Sequence, residues 1–270
     1  MQARERQIAE LQGALRAALS AGRLESATAA AVAAREATFA LYGRHHPASA
    51  SAINNEALVA KQRGDLARSL ELYREALGLY ERLVGTRHRS YAAACANLGL
   101  AHCAAAAAAR GVDAMGHADA ARGHLETALA VRSAELPAGD PLIAMTRYQL
   151  ASALRLGKHH AEAEVLLTGA LTELRALLGS EHPTTATALN NLGFLLKDMR
   201  QYERATEAYA EATRIRVAAL GEAHHDTLVS MHNLAECRRA AGDEEGALTV
   251  QDRILAITQA AGAPESTERR

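Results

Sequence analysis

Between residues 182 and 223 the apolar positions fall into two blocks. In the first, Leu189, Leu192, Leu196 and Met199 recur at three- and four-residue spacing, the mark of one buried helix face. Pro183 opens the block, at a first-turn position where its missing N–H costs nothing. The pattern breaks over Met199–Tyr202. A second helix is predicted from near Glu203, carrying Ala205, Ala208, Ala212 and Ile215 inward, and Gly221 stands where a helix terminator belongs. The pattern predicts a pair of short helices, A and B. One such pair cannot bury its own apolar side, whereas stacked pairs cover one another.

The same pattern recurs along the chain. Asn97-Leu98-Gly99, Asn191-Leu192-Gly193 and Asn233-Leu234-Ala235 are strong copies of one motif, and Asn55-Glu56-Ala57 and Gln149-Leu150-Ala151 are weaker ones. Nine residues before each stands His46, His88, Asp140, His182 or His224, at steps of 42, 52, 42 and 42 residues. Gly64 and Gly242 each follow a repeat start by 18 residues, Gly22 fits a start at residue 4, and Gly116 fits if the ten extra residues precede it. Val84-Gly85, Leu178-Gly179 and Leu220-Gly221 close units. Six units follow: a divergent 1–45, then 46–87, 88–139, 140–181, 182–223 and 224–262, with 263–270 as a polar tail. The expected fold is all-α, a single solenoid over 1–262 with about six helix-turn-helix repeats.

The long third unit holds six consecutive alanines, Ala104 to Ala109. Alanine has the highest helix propensity. Helix A is therefore predicted to run on by one or two turns before the segment GVDAMG (111–116) turns the chain. The protrusion either docks a partner or lengthens a surface hairpin.

Composition agrees with helices. Hydrophobic residues make up 49% but aromatics only 3%, so the core is Ala and Leu, which favours close helix packing over sheets. A net charge of -1 argues against a general nucleic-acid binder or a polybasic membrane anchor. No run of about 18 uncharged apolar residues is expected to span a bilayer. Three cysteines without a CxxC point to a reducing, intracellular compartment, cytoplasmic by expectation. The Arg-containing amphipathic N-terminus leaves a mitochondrial transit peptide open, although Glu5 and Glu10 are unusual there and the repeats claim the segment as structure.

The 42-residue unit HP…T…A…NNLG…L…YE.A…Y..A..I…LG resembles the tetratricopeptide repeats of the kinesin light chain type. The resemblance covers 46–262 and extends loosely over 1–45. It implies a right-handed superhelix with helices A lining a concave face for peptide or protein docking. The heptad coiled coil of kinesin light chains is absent, so kinesin association is not implied.

Two series of residues could make a binding face. Asn55, Asn97, Gln149, Asn191 and Asn233 share one position of helix A. Amides donate and accept, so a column of them can grip the backbone of an extended chain. The resemblance implies the same role, because the corresponding asparagines of kinesin light chains line the cargo groove; Gln149 departs from the pattern. The alternative is that these amides cap or bridge neighbouring helices. Six residues on stand Lys61, Cys103, Arg155, Lys197 and Arg239, turned about 120° from the amides. Such a basic edge favours an extended acidic ligand, as the resemblance also implies. The alternative is a solvated face with salt bridges to helix B.

Catalytic signatures are missing. There is no GxSxG, no GxxxxGK[ST] and no GxGxxG after a strand, and the adjacent histidines His45-His46, His159-His160 and His224-His225 point apart. No cofactor, metal or catalytic residue is expected. The expected function is a non-catalytic scaffold or adaptor that binds another protein. The alternatives are a permanent structural subunit of a large complex, such as an organellar ribosome or an axoneme, and, least favoured, an enzyme.

Overall fold

The computed structural model describes residues 1–262, so the expected tail at 263–270 lies outside the described residues. The described residues form twelve helices and no strand: α1 (Gln2–Ser20), α2 (Leu24–Tyr42), α3 (Pro47–Gln62), α4 (Leu66–Val84), α5 (Arg89–Ala108), α6 (Gly111–Glu135), α7 (Pro141–Leu156), α8 (His160–Leu178), α9 (Pro183–Asp198), α10 (Tyr202–Leu220), α11 (His225–Ala240) and α12 (Glu244–Gly262). Odd-numbered helices are the A helices and even-numbered ones the B helices. Consecutive helices pack pairwise as expected of a repeat solenoid, and their contacts gather into two compact units. The first is Met1–Ala138 and the second begins at Gly139, so the division falls one residue before a predicted repeat border. Pro137 and Gly139 (φ 91°) interrupt the helices there.

Every repeat after the first starts with a side-chain cap. The Nδ1 atoms of His46, His88, His182 and His224 accept the backbone N–H two residues on, each at 3.1 Å. Asp140 Oδ1 does the same at 2.8 Å. These bonds satisfy an amide that the first helical turn leaves without a partner. They give the repeat-border histidines a structural task that the sequence pattern marked without explaining. A second tie follows three residues into the repeat. Ser49, Thr185 and Thr227 donate their hydroxyls to the carbonyls of Gly43, Gly179 and Gly221, the residues that end the preceding B helices.

Helices A and B approach closely because small residues meet at their crossing. Ala27, Ser69, Ala121, Ala163, Ala205 and Ala247 occupy one equivalent position of the six B helices, and all are fully buried. On the A side the glycine of the Asn-Leu-Gly motif faces helix B. A methyl group at Gly193 would come within 2.7 Å of the Tyr209 ring, and one at Gly99 within 2.7 Å of Leu125 Cγ.

The ten extra residues of the third unit are shared between both arms of its hairpin. α5 has 20 residues where α3, α7, α9 and α11 have 16, and α6 has 25 where α4, α8 and α10 have 19. The turn lies at Ala109–Gly111, where Gly111 has φ +61°. This corrects the expectation that GVDAMG turns the chain and that Gly116 marks the turn, since Gly116 lies inside α6. An antiparallel hairpin can lengthen helically only if both arms grow, because one arm alone would have nothing to pack against.

α5 also corrects the expectation for membranes. Arg89–Ala108 is long enough, with a mean hydropathy of 1.2, to cross a bilayer. Over half of its apolar window is buried inside the fold, as in a core helix packed on α4 and α6. The N-terminal segment that left a transit peptide open forms α1, which packs on α2 through Ile8, Leu15 and Ala18.

Candidate functional site

In the first unit the amide series comprises Asn55 on α3 and Asn97 on α5, both half-buried. Asn97 Nδ2 donates to Asn54 Oδ1 at 2.9 Å, so Asn97 bridges two successive A helices. The donor capacity of Asn54, the carbonyl of Asn97 and both ends of Asn55 remain for another chain. Lys61 follows on the same edge. Burial lowers its pKa, while the nearby Cys103 thiol acts in the opposite direction. No carboxylate pairs with Lys61 among the described residues.

The second unit repeats this arrangement. Asn233 Nδ2 on α11 donates to Asn190 Oδ1 on α9 at 3.2 Å, and Asn191 beside it makes no side-chain bond among the described residues. Each unit thus carries an Asn-Asn doublet whose first member accepts from the next repeat and whose second stays free. Gln149 on α7 stands at the series position of the fourth repeat, and its side-chain oxygen is buried without a hydrogen-bond partner among the described residues. The bridging alternative therefore holds for Asn97 and Asn233. Asn55 and Asn191 are left as uncommitted amides.

The basic edge of the second unit is already neutralised. Arg155 bonds Asp198 at 2.6 Å and lies over the Phe194 ring at 5.4 Å. Lys197 bonds Glu236 at 2.7 Å. Arg239 pairs with Glu244 at 3.2 Å and also reaches Gln251. Two of these three partners sit on the next A helix rather than on helix B, where the sequence reading placed them. Behind this edge Tyr209 is fully buried and meets Phe194 edge-on at 5.7 Å. Burial raises its pKa, and its hydroxyl has no hydrogen-bond partner among the described residues.

Arg216 was missed by sequence reasoning. It rises from α10, is 7% exposed, and its guanidinium donates to Ser230 Oγ at 2.7 Å, the Asp226 carbonyl at 2.8 Å and Thr187 Oγ1 at 3.3 Å. It ties α9 to α11 from behind and fixes the spacing at which Asn233 meets Asn190. A lone arginine on a B helix carries no sequence signal of this. Among the described residues no group of three or more His, Cys, Asp or Glu could hold a metal ion.

The signature of the tetratricopeptide repeat matches residues 49–90 in one form, and 142–216 and 184–260 in another, together more than half of the chain. The chain belongs to the tetratricopeptide repeat family. Repeat solenoids of this kind present extended faces for protein interaction, and a protein-interaction scaffold is the coarse role this membership supports. No curated protein matches the chain. Three solved structures show the same fold. BtubC (BKLC) from P. vanneervenii is 24% identical, with 99% of this chain and 96% of that one covered and a TM-score of 0.63. Kinesin light chain nearly identical TPR-like repeats of Podosopora anserina give 23%, 80%, 97% and 0.61 for the same measures. A Rap protein complexed with Competence and Sporulation Factor gives 12%, 94%, 77% and 0.64. The likeness to kinesin light chain-type tetratricopeptide repeats implied by the sequence motif is thus found in three dimensions.

Proposed function

We propose that this tetratricopeptide repeat protein is a non-catalytic adaptor that holds an extended segment of a partner protein along its A helices, mainly through the partner's main chain. The observation that carries this reading is the pair of uncommitted amides, Asn55 and Asn191, each beside an amide bridge that holds neighbouring A helices in place. A side-chain amide offers both a donor and an acceptor and so matches a peptide unit whatever its side chain. The Rap protein of similar fold, complexed with Competence and Sporulation Factor, supports use of this fold for ligand capture.

The charge pattern narrows the ligand. In the second unit Arg155, Lys197 and Arg239 already have acidic partners, so an acidic ligand there would have to displace them. In the first unit Lys61 has no such competitor. On the first unit an acidic side chain of a ligand is therefore best matched to Lys61, while on the second unit recognition by the amide of Asn191 dominates.

The test is a display library of extended peptides selected on the full chain, followed by affinities for the selected peptides. Asn55→Ala with Asn191→Ala should weaken binding by roughly thirtyfold, at about 1 kcal/mol for each of two lost hydrogen bonds, and leave the thermal melt in place. Lys61→Ala should weaken acidic peptides selectively. Unchanged affinities in the double-alanine protein would remove the groove reading.

A further inference from the structure

The third repeat has a polar cluster where the fourth and fifth have leucine. His102 of α5 stands at the position that Leu154 and Leu196 fill in the fourth and fifth repeats, and all three are buried, with His102 at 5% exposure. Its Nδ1 lies 3.0 Å from Nδ1 of His117 on α6. The His124 ring, also on α6, stacks on it with centroids 5.8 Å apart. α5 packs on α4 and α6, and the charged or titratable groups that act on His102 from them are His117 and His124 of α6 and Arg74 of α4. All are basic, and none is a carboxylate. His117 lies six residues after the hairpin turn at Gly111, so its contact with His102 closes the base of the extended tip. The tip itself exposes Val112 and Met115.

We propose that this histidine cluster is a proton-operated latch, which holds the extended α5–α6 hairpin closed when the rings are neutral and releases its tip on acidification. The contact at 3.0 Å is a hydrogen bond only if one ring donates and the other accepts. One proton leaves an imidazolium that can still donate to the neutral ring; protonation of both rings removes the acceptor and leaves two cations facing each other, beside a third imidazole and a guanidinium. Opening relieves this by letting water reach the rings. The titration has the matching sign. Burial, then His124, His117 and Arg74, push the His102 pKa down to about 4, and burial followed by Arg74 lowers that of His124. A group depressed in the closed state favours closure fully above its unfolded pKa of about 6.5, and this is lost as pH falls toward the folded value. The device sits in the one repeat that carries the ten extra residues, and it is independent of the peptide-binding reading.

Hydrogen–deuterium exchange on the full chain, at about pH 7.5 and about pH 5 and corrected for intrinsic rates, tests it. The opening equilibrium of residues 104–120 should rise on the order of tenfold at the lower pH, while α9 and α10 keep their protection. His102→Leu, copying Leu154 and Leu196, should abolish the difference. His117→Gln, at a half-exposed position and unable to titrate, should reduce it and serves if the leucine variant does not fold. Equal protection of the tip at both pH values, or an undiminished acid response in either folded variant, would overturn the latch.

Discussion

Where the second unit buries Leu154 and Leu196 behind its A helices, the first buries His102 at the equivalent place in its third repeat. The two units otherwise run in parallel. Each has three repeats, and each places an Asn-Asn doublet in its second repeat bonded to an asparagine in its third. They differ around that shared triad. The second unit surrounds it with ion pairs and an apolar core, while the first leaves Lys61 without a carboxylate and places a basic cluster beneath a lengthened hairpin. The amide bridge recurs once in each unit, between α3 and α5 and between α9 and α11. Charge on the edge and polarity in the core can vary from repeat to repeat, and that is where one unit acquires properties the other lacks.

The sharpest way to break this parallel is at the glycine of the Asn-Leu-Gly motif, present once in each unit. Gly193→Ala pushes a methyl group to 2.7–2.8 Å from three atoms of the Tyr209 ring, a rigid group held edge-on by Phe194. A cost of about 2–3 kcal/mol is expected from overpacking. Gly99→Ala meets Leu125 at 2.7 Å and the Ala121 carbonyl at 3.2 Å, and the leucine can move more readily than a ring. A cost of about 1–2 kcal/mol is expected there. Urea denaturation of both variants checks the order. A costless Gly193→Ala would mean that the A–B crossing is not set by this contact.

The helix pairs were legible in the sequence because burial on one face imposes a 3.6-residue period, and stacking imposes the 42-residue one. The third repeat was legible only in part. Six alanines show that a helix continues but not which arm of the hairpin takes the added length, since that depends on packing between α5 and α6. For the candidate site, the positions of Asn55, Asn97, Gln149, Asn191 and Asn233 could be read, but their commitments could not. A signal was present: the doublets Asn54-Asn55 and Asn190-Asn191 occur 43 residues before Asn97 and Asn233, measured from the first member. The basic edge read as free charge for a comparable reason. Asp198 lies 43 residues from Arg155 and Glu236 lies 39 from Lys197, so each partner is remote in sequence and adjacent only once repeats stack.

The caps sharpen the comparison at a smaller energy, because here the units should behave alike. His88 opens α5 in the first unit and His182 opens α9 in the second, each accepting one backbone N–H at 3.1 Å. Alanine at either position should cost about 1 kcal/mol, the usual loss for a missing N-cap acceptor. His182→Asp should restore it, because Asp140 caps α7 by the same bond at 2.8 Å. Chemical denaturation of His88→Ala, His182→Ala and His182→Asp decides this. If aspartate fails where alanine fails, the imidazole serves something other than the cap.

The smallest effect expected separates the units again, at the turn from helix A to helix B. In the first unit the left-handed residue of each hairpin is glycine, at Gly22 and Gly64 two residues after helix A and at Gly111 three residues after it; in the second, Lys158 (φ 67°) and Arg200 (φ 60°) stand two residues after helix A in two of three hairpins. A residue with a β-carbon costs roughly 1–2 kcal/mol in this conformation, partly offset because glycine has more freedom to lose on folding. Lys158→Gly and Arg200→Gly should each therefore stabilise the protein by about 0.5 kcal/mol. Gly64→Ala should destabilise it by about 1 kcal/mol for backbone reasons alone, since an added β-carbon there meets nothing within 4 Å. A shift in urea midpoint without a change in slope would read this out. If both second-unit substitutions destabilise instead, the Lys158 and Arg200 side chains hold contacts worth more than the backbone strain they impose, and the turns of the two units are not equivalent.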